Sequence, residues 1–217
     1  MRHEIHRHAD RASHDRTRLD ALLDAQCFGT LSAVSPDGDP WAVPMGYARV
    51  GDLIVMHGST GGGLLRLAAA GAPVVLTVAA MDGYVVGHSA QACSVNYRSA
   101  TIRGQLVSVT GDEKAALLDA YTDFYFPGRM AEVRPHTAKE LAATLLLTLQ
   151  IGGENWLFKQ RCGQASDPGE PSEVWGGVVG LRTLPAEPER APWSTAPLPS
   201  SVARLVERLS REPGTGQ

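Results

Sequence analysis

The chain has 217 residues, 43% of them hydrophobic and 20% charged, with a formal net charge of −3. That length suits one domain, or one domain with a tail, with enough apolar content for a core. The charge gives no global pull toward nucleic acid, and no apolar run reaches the roughly 18 residues of a membrane-spanning helix.

From the N-terminus, residues 1–14 are polar and rich in His and Arg, without periodicity, and are expected to form a mobile arm. His3, His6 and His8 cluster there, either as a metal site or as a solvated tail. Basic residues at the start have no apolar segment behind them, so no secretory leader is read and a cytoplasmic protein is expected. Leu19, Leu22 and Leu23 recur at helical spacing across Arg16 to Gln26. Thr30 to Val34 alternates as a strand, Pro36-Asp37-Gly38-Asp39 turns, and Trp41, Val43, Met45 and Tyr47 make one face of the next strand. Its other face, Ala42, Pro44, Gly46 and Ala48, is small enough for something flat to lie against the backbone. With Leu53 to His57 as the third strand, these segments predict an antiparallel meander.

A Gly-rich stretch then leads into a helix over Leu64 to Ala70. Pro73 to Ala80 is a strand, Asp82-Gly83 a two-residue hairpin turn, and Tyr84 to Ser89 the returning strand. Thr101 to Val109 is another. Asp112 is read as the cap of a helix carrying Leu117, Leu118, Tyr121, Phe124 and Tyr125, stopped at Pro127-Gly128. Thr137 and Glu140 form a capping box, Leu145 to Ile151 alternates as a strand, and Val174 to Leu181 is the last strand. A proline-rich linker over 183–199 precedes a short helix, Ser200 to Leu209. Many short strands with few helices predict a mainly β (α+β) fold, a barrel over residues 15–182.

Cys27, Cys93 and Cys162 show no CxxC spacing, which argues against a disulfide framework and a structural zinc site. Two other segments carry polar groups that call for a partner. Ser59-Thr60-Gly61-Gly62-Gly63 offers bare amides and two hydroxyls, suited to a phosphate, or is a plain glycine linker. No GK[ST] follows, so a nucleoside triphosphate loop is excluded. Ser89 to Ser99 sets a polar row between apolar strands, with Arg98 as a fork for an anion or as a surface residue at a strand edge. No Ser-His-Asp order, HExxH or carboxylate cluster supports hydrolysis.

Pro44 to Tyr47 followed by Asp52 to His57, His57-Gly58-Ser59-Thr60-Gly61 with Leu64-Leu65-Arg66, and Asn96-Tyr97-Arg98-Ser99 occur in an order that resembles the FMN-binding split-barrel family. The resemblance is to its pyridoxamine-phosphate-oxidase-like branch, which includes nitroimidazole-resistance proteins. Lys139 to Thr144 and Val174 to Val178 add to it. It implies an antiparallel split β-barrel with flanking helices, and a homodimer holding FMN at the subunit interface. The ring would lie along Val43, Pro44, Met45 and Gly46, and the phosphate near Ser59, Thr60 and Arg98, with Gly61, Asn96, Tyr97 and Ser99 completing the site. The expected activity is flavin-dependent oxidoreduction of a small molecule. Gly62 and Gly63 stand where the family has Ser and Arg, and Gln91-Ala92-Cys93-Ser94-Val95 replaces an aromatic and histidine stretch, so a phosphate clamp and a ligand-side polar pair are missing, and FMN binding is weakened or the site turned to another cofactor. The alternatives are a haem protein with His57, His88 or Tyr97 as axial ligand, or a non-catalytic cofactor sensor.

Overall fold

The computed structural model describes residues 9–211; His3, His6 and His8 lie outside them. Strand β1 (Ala12–Ser13) falls inside the stretch expected as an arm. It is held by antiparallel pairing to β10 (Trp156–Arg161), with Ser13 opposite Phe158.

Helix α1 (Arg16–Ala25) opens with Asp15, whose carboxylate accepts from the Thr17 N–H at 2.9 Å. Its Leu19, Leu22 and Leu23 are fully buried, each contributing about 1.5–3 kcal/mol of apolar transfer. Its polar side is tied to the strands by ion pairs, Arg16 to Asp52 at 2.7 Å and Arg49 to Asp24 at 2.6 Å.

Strands β2 (Phe28–Val34) and β3 (Pro40–Gly46) form the expected hairpin. The meander ends there. At Tyr47 the chain crosses to a second sheet, where β4 (Ala48–Val50) pairs with β5 (Leu53–Ser59). Tyr47 is fully buried at the crossing and its hydroxyl donates to the Leu23 carbonyl at 3.0 Å, which anchors the corner to α1.

After α2 (Gly63–Ala69), β6 (Pro73–Val86) runs unbroken for 14 residues against β7 (Ser94–Gln105). The predicted Asp82-Gly83 hairpin is therefore not formed; the register shifts between Met81 and Gly83, and Asp82 is the extra residue of a bulge. The larger sheet runs β1-β10-β7-β6-β2-β3, with β11 (Gly177–Gly180) on the far half of β6. The expected strand from Val174 is shorter at both ends. At Leu106 the chain leaves for the second sheet, ordered β4-β5-β9-β8, with β8 (Val107–Ser108) and β9 (Thr144–Gln150).

Helix α3 (Gly111–Tyr125) starts from Thr110 rather than Asp112, which sits in its first turn beside Glu113 and favours the helix dipole there. Helix α4 (Ala138–Ala143) carries the predicted capping box. The four-stranded sheet is a middle layer, which explains why Leu146, Leu147 and Leu149 are all buried. Leu147 and Leu149 join the main core with α1, α2 and the larger sheet, while Leu146 packs with Val55, Leu117 and Leu118 near α3. These two antiparallel sheets and their helices form a split β-barrel. Helix α5 (Ser200–Ser210) ends the described chain, and among the described residues no helix is long and apolar enough to cross a membrane.

Candidate functional site

Strand β3 ends the larger sheet, so among the described residues the edge facing away from β2 has no strand partner. Val43 and Met45 pack against the core, whereas Ala42 and Pro44 are exposed. The residues expected along a flavin ring, Val43, Pro44, Met45 and Gly46, all lie on this edge strand.

At the Gly46 end of β3 opens a cavity of about 460 Å³, lined by Cys27, Phe28, Gly46, His57, Tyr121, Thr122, Tyr125 and Phe126. Gly46 is required by close approach. A Cβ there would stand 2.6 Å from the Tyr125 hydroxyl and 2.8 Å from that of Tyr121. The two phenols stack at 4.9 Å. The Tyr121 hydroxyl donates to that of Tyr125 at 3.3 Å, and the Tyr125 hydroxyl faces the carbonyls of Cys27 at 2.5 Å and Tyr47 at 3.0 Å. Burial pushes both phenol pKa values up, so both remain protonated at neutral pH. His57 meets the Tyr121 ring edge-on at 4.5 Å. Desolvation holds its imidazole below the ordinary value, and among the described residues its ring nitrogens make no hydrogen bond. A neutral imidazole with its one unprotonated ring nitrogen uncommitted, exposed on one side and set against an aromatic ring on the other, is a donor a haem iron can take.

The loop from Ser59 to Gly63 joins β5 to α2. Ser59, Thr60 and Gly61 are exposed, and the Gly62 N–H donates to the Ser59 carbonyl at 3.1 Å. The two glycines that stand where the family has Ser and Arg have different surroundings. Trp41 from β3 lies on Gly63, where a Cβ would fall 2.3 Å from the indole. The space for a side chain at 63 is occupied by the tryptophan.

The polar row from Ser89 to Ser99 is mostly satisfied within the fold. Ser89 accepts from the Ala92 N–H, and the Asn96 amide donates to the Gly163 carbonyl while its oxygen accepts from Arg161. Arg98 directs its Nε and one Nη to Asp82, at 2.9 and 2.7 Å, so the bulge in β6 supplies its counter-ion. Arg98 makes no hydrogen bond to Ser59 or Thr60, which sit beside the other sheet. Tyr97 and Ser99 are half-buried on β7. His88 is exposed in the turn before β7, and Cys93 is an exposed thiol, 3.4 Å from the Ser89 carbonyl.

A second, larger groove of about 800 Å³ crosses the ends of β2, β3, β6 and β7, between Val34, Trp41, Val75 and Arg103. Sequence reading missed both Arg103 and the cavity role of Tyr121 and Tyr125. Tyrosines four apart on one helix face were the available signal for the latter.

The sequence pattern of the pyridoxamine 5'-phosphate oxidase family matches residues 15–153, and the chain belongs to that family. Among solved structures it is similar to the FAD and haem binding protein from Mycobacterium smegmatis, with 46% identity and a TM-score of 0.87 over 90% of this chain and 97% of that one. It is also similar to the flavocytochrome Anf3 from Azotobacter vinelandii, at 29% identity and a TM-score of 0.84 over 93% and 94% of the two chains. A putative 5-nitroimidazole antibiotic resistance protein from Bacteroides thetaiotaomicron shares the fold at 17% identity and a TM-score of 0.58, over 69% and 86%. No curated protein matches the chain.

Proposed function

We propose that the chain is an oxidoreductase that holds both a flavin and a haem and acts on a small molecule. The observation that carries the reading is His57, a neutral imidazole without hydrogen bonds in an aromatic cavity at the end of a free strand edge. Of the three candidate haem ligands, His57 and His88 are both exposed and Tyr97 is half-buried on β7, but only His57 lines that cavity, so His57 is the one the geometry favours. The similarity to an FAD and haem binding protein and to a flavocytochrome supports the pairing, and favours FAD over the FMN expected from sequence.

The residues divide the work. The edge strand over Val43 to Gly46, where Pro44 brings a carbonyl acceptor but no N–H, would offer backbone groups to a flavin pyrimidine ring, and Ser59 and Thr60 offer hydroxyls to a phosphate. Tyr121, with Phe28 and Phe126 in the same lining, would flank His57 on the cavity side, while the imidazole keeps an exposed side. When bound, flavin supplies hydride acceptance and haem one-electron chemistry, while the protein orients and tunes. The test is the absorption spectrum of the purified protein. Blue-region flavin bands together with a Soret band are expected, and His57→Ala is expected to lose or shift the Soret band while keeping the flavin bands. A Soret band unchanged in His57→Ala would remove His57 as ligand, and a colourless wild type that takes up neither cofactor would remove the proposal.

A further inference from the structure

The groove at the far end of β3 from His57 is not used by the site described above. Its walls are apolar, from Val34, Pro40, Trp41 and Val75, and its volume of about 800 Å³ is that of a small-molecule site rather than a surface dimple. Arg103 is the one charged side chain in its lining. Among the described residues that guanidinium makes no ion pair or hydrogen bond, unlike Arg98, which Asp82 neutralises. Gln105, also in the lining, donates one amide N–H to the Gly71 carbonyl at 2.8 Å and makes no hydrogen bond through its side-chain oxygen among the described residues. An uncommitted cation beside an indole and an amide acceptor matches a ligand with an anionic group, a flat ring and an exocyclic amine. Trp41 belongs to this groove and also lies on Gly63, so the groove begins where the Ser59–Gly63 loop ends.

We infer that this groove takes the adenylate half of a dinucleotide flavin, with Arg103 on its phosphate, and that it makes the chain select FAD over FMN. The inference rests on the flavin reading above. The two halves of the cofactor would then lie along one strand. The flavin ring occupies the edge from Val43 to Gly46, and the adenylate turns past Trp41 onto the outer ends of β2, β6 and β7.

The experiment is titration of the full-length apoprotein with FAD and with FMN, in the wild type, in Arg103→Glu and in Val34→Trp. Val34 is an exposed groove-wall position paired with Pro40 at the end of β3 far from the flavin edge, so the indole narrows the groove at a distance from Val43 to Gly46. The wild type should bind FAD at least about tenfold more tightly than FMN, as one charge-assisted contact supplies. Both variants should bring FAD down to the FMN level and leave FMN affinity unchanged. Equal affinities in the wild type, or an equal loss for both flavins in the variants, would overturn the inference while leaving the flavin reading intact. Binding of neither flavin to the wild type would overturn the flavin reading and this inference with it.

Discussion

At the residue scale, the two glycines after Gly61 show how one neighbour decides what a departure from a family pattern means at each position. Gly62 and Gly63 stand where Ser and Arg were expected, and the deletion of side chains suggested a lost phosphate clamp. Trp41 supplies the missing fact. Its ring stands against Gly63, and Gly62 adopts φ −66, which any residue tolerates. The two positions should therefore respond differently. Gly62→Ser adds a Cβ that clears its nearest neighbour, the Ser59 carbonyl, at 3.4 Å, and should be near neutral. Gly63→Arg forces the indole aside and should lower stability by about 1–3 kcal/mol without tightening flavin binding. Denaturant unfolding of the two variants checks this. Equal stability of Gly63→Arg and the wild type would show that Trp41 moves at little cost. Nothing local in the sequence announces a contact between positions 41 and 63, so the pattern alone does not tell the two glycines apart.

At the element scale, the most telling arrangement is the C-terminal helix against the end of α3. Glu132 acts as the N-terminal cap of α5, accepting from the hydroxyls of Ser200 and Ser201 and from the Ser201 N–H. At the other end, Arg208 donates to the carbonyls of Phe124 and Tyr125 at 2.6 and 2.9 Å, and Arg204 to that of Pro127 at 2.8 Å. Those carbonyls end the helix that carries Tyr121, Tyr125 and the cavity wall, so α5 braces the site from behind. The hydroxyls of Ser201 and Ser200, with the Ser201 N–H, hold the Glu132 carboxyl down to about 2. A carboxyl depressed on folding gives stability that is present above its unfolded value near 4.5 and lost as pH falls from there toward 2. Protection of the residue 200–210 amides against hydrogen exchange should thus weaken between pH 5 and about 2. In Glu132→Gln it should be weaker at neutral pH and nearly flat across that range. Equal protection at both ends of the range in the wild type would sink the idea. Elements of this kind divide in legibility by how local their cause is. The Thr137–Glu140 box was readable because both partners lie within one turn. Asp82-Gly83 was misread because a hairpin dipeptide is decided by β7, a partner long enough to pair with both halves of β6 across the bulge. Strand β10 escaped notice because only Trp156 and Phe158 mark its inner face and Lys159, Gln160 and Arg161 dilute the pattern.

At the scale of the whole molecule, the layers are unequal. The four-stranded sheet is covered on both sides, by the main core and by the Leu117–Leu118 cluster near α3. The larger sheet buries one face, while on the other Phe28 stays 62% exposed and Thr77, Ala79 and Met81 are exposed along β6. The groove with Arg103 opens among the ends of the same strands. An apolar sheet face left in water, ending at an unpaired edge strand, is the kind of surface a symmetric partner covers. We propose that two copies associate through this face and that the cofactors sit at its margin. A stable interface of this sort needs about 800 Å² from each copy, which a sheet of this size can supply. Light scattering should give twice the 23.1 kDa chain mass at micromolar concentration. Ala79→Arg with Met81→Glu places two charges on exposed β6 positions without touching the core, so the double variant should fold and remain a monomer. If the partner helps to close the flavin site, that monomer should also lose flavin affinity. A wild type that stays monomeric at micromolar concentration while binding flavin normally would show that one chain builds the site alone. The exposed sheet face would then need another explanation.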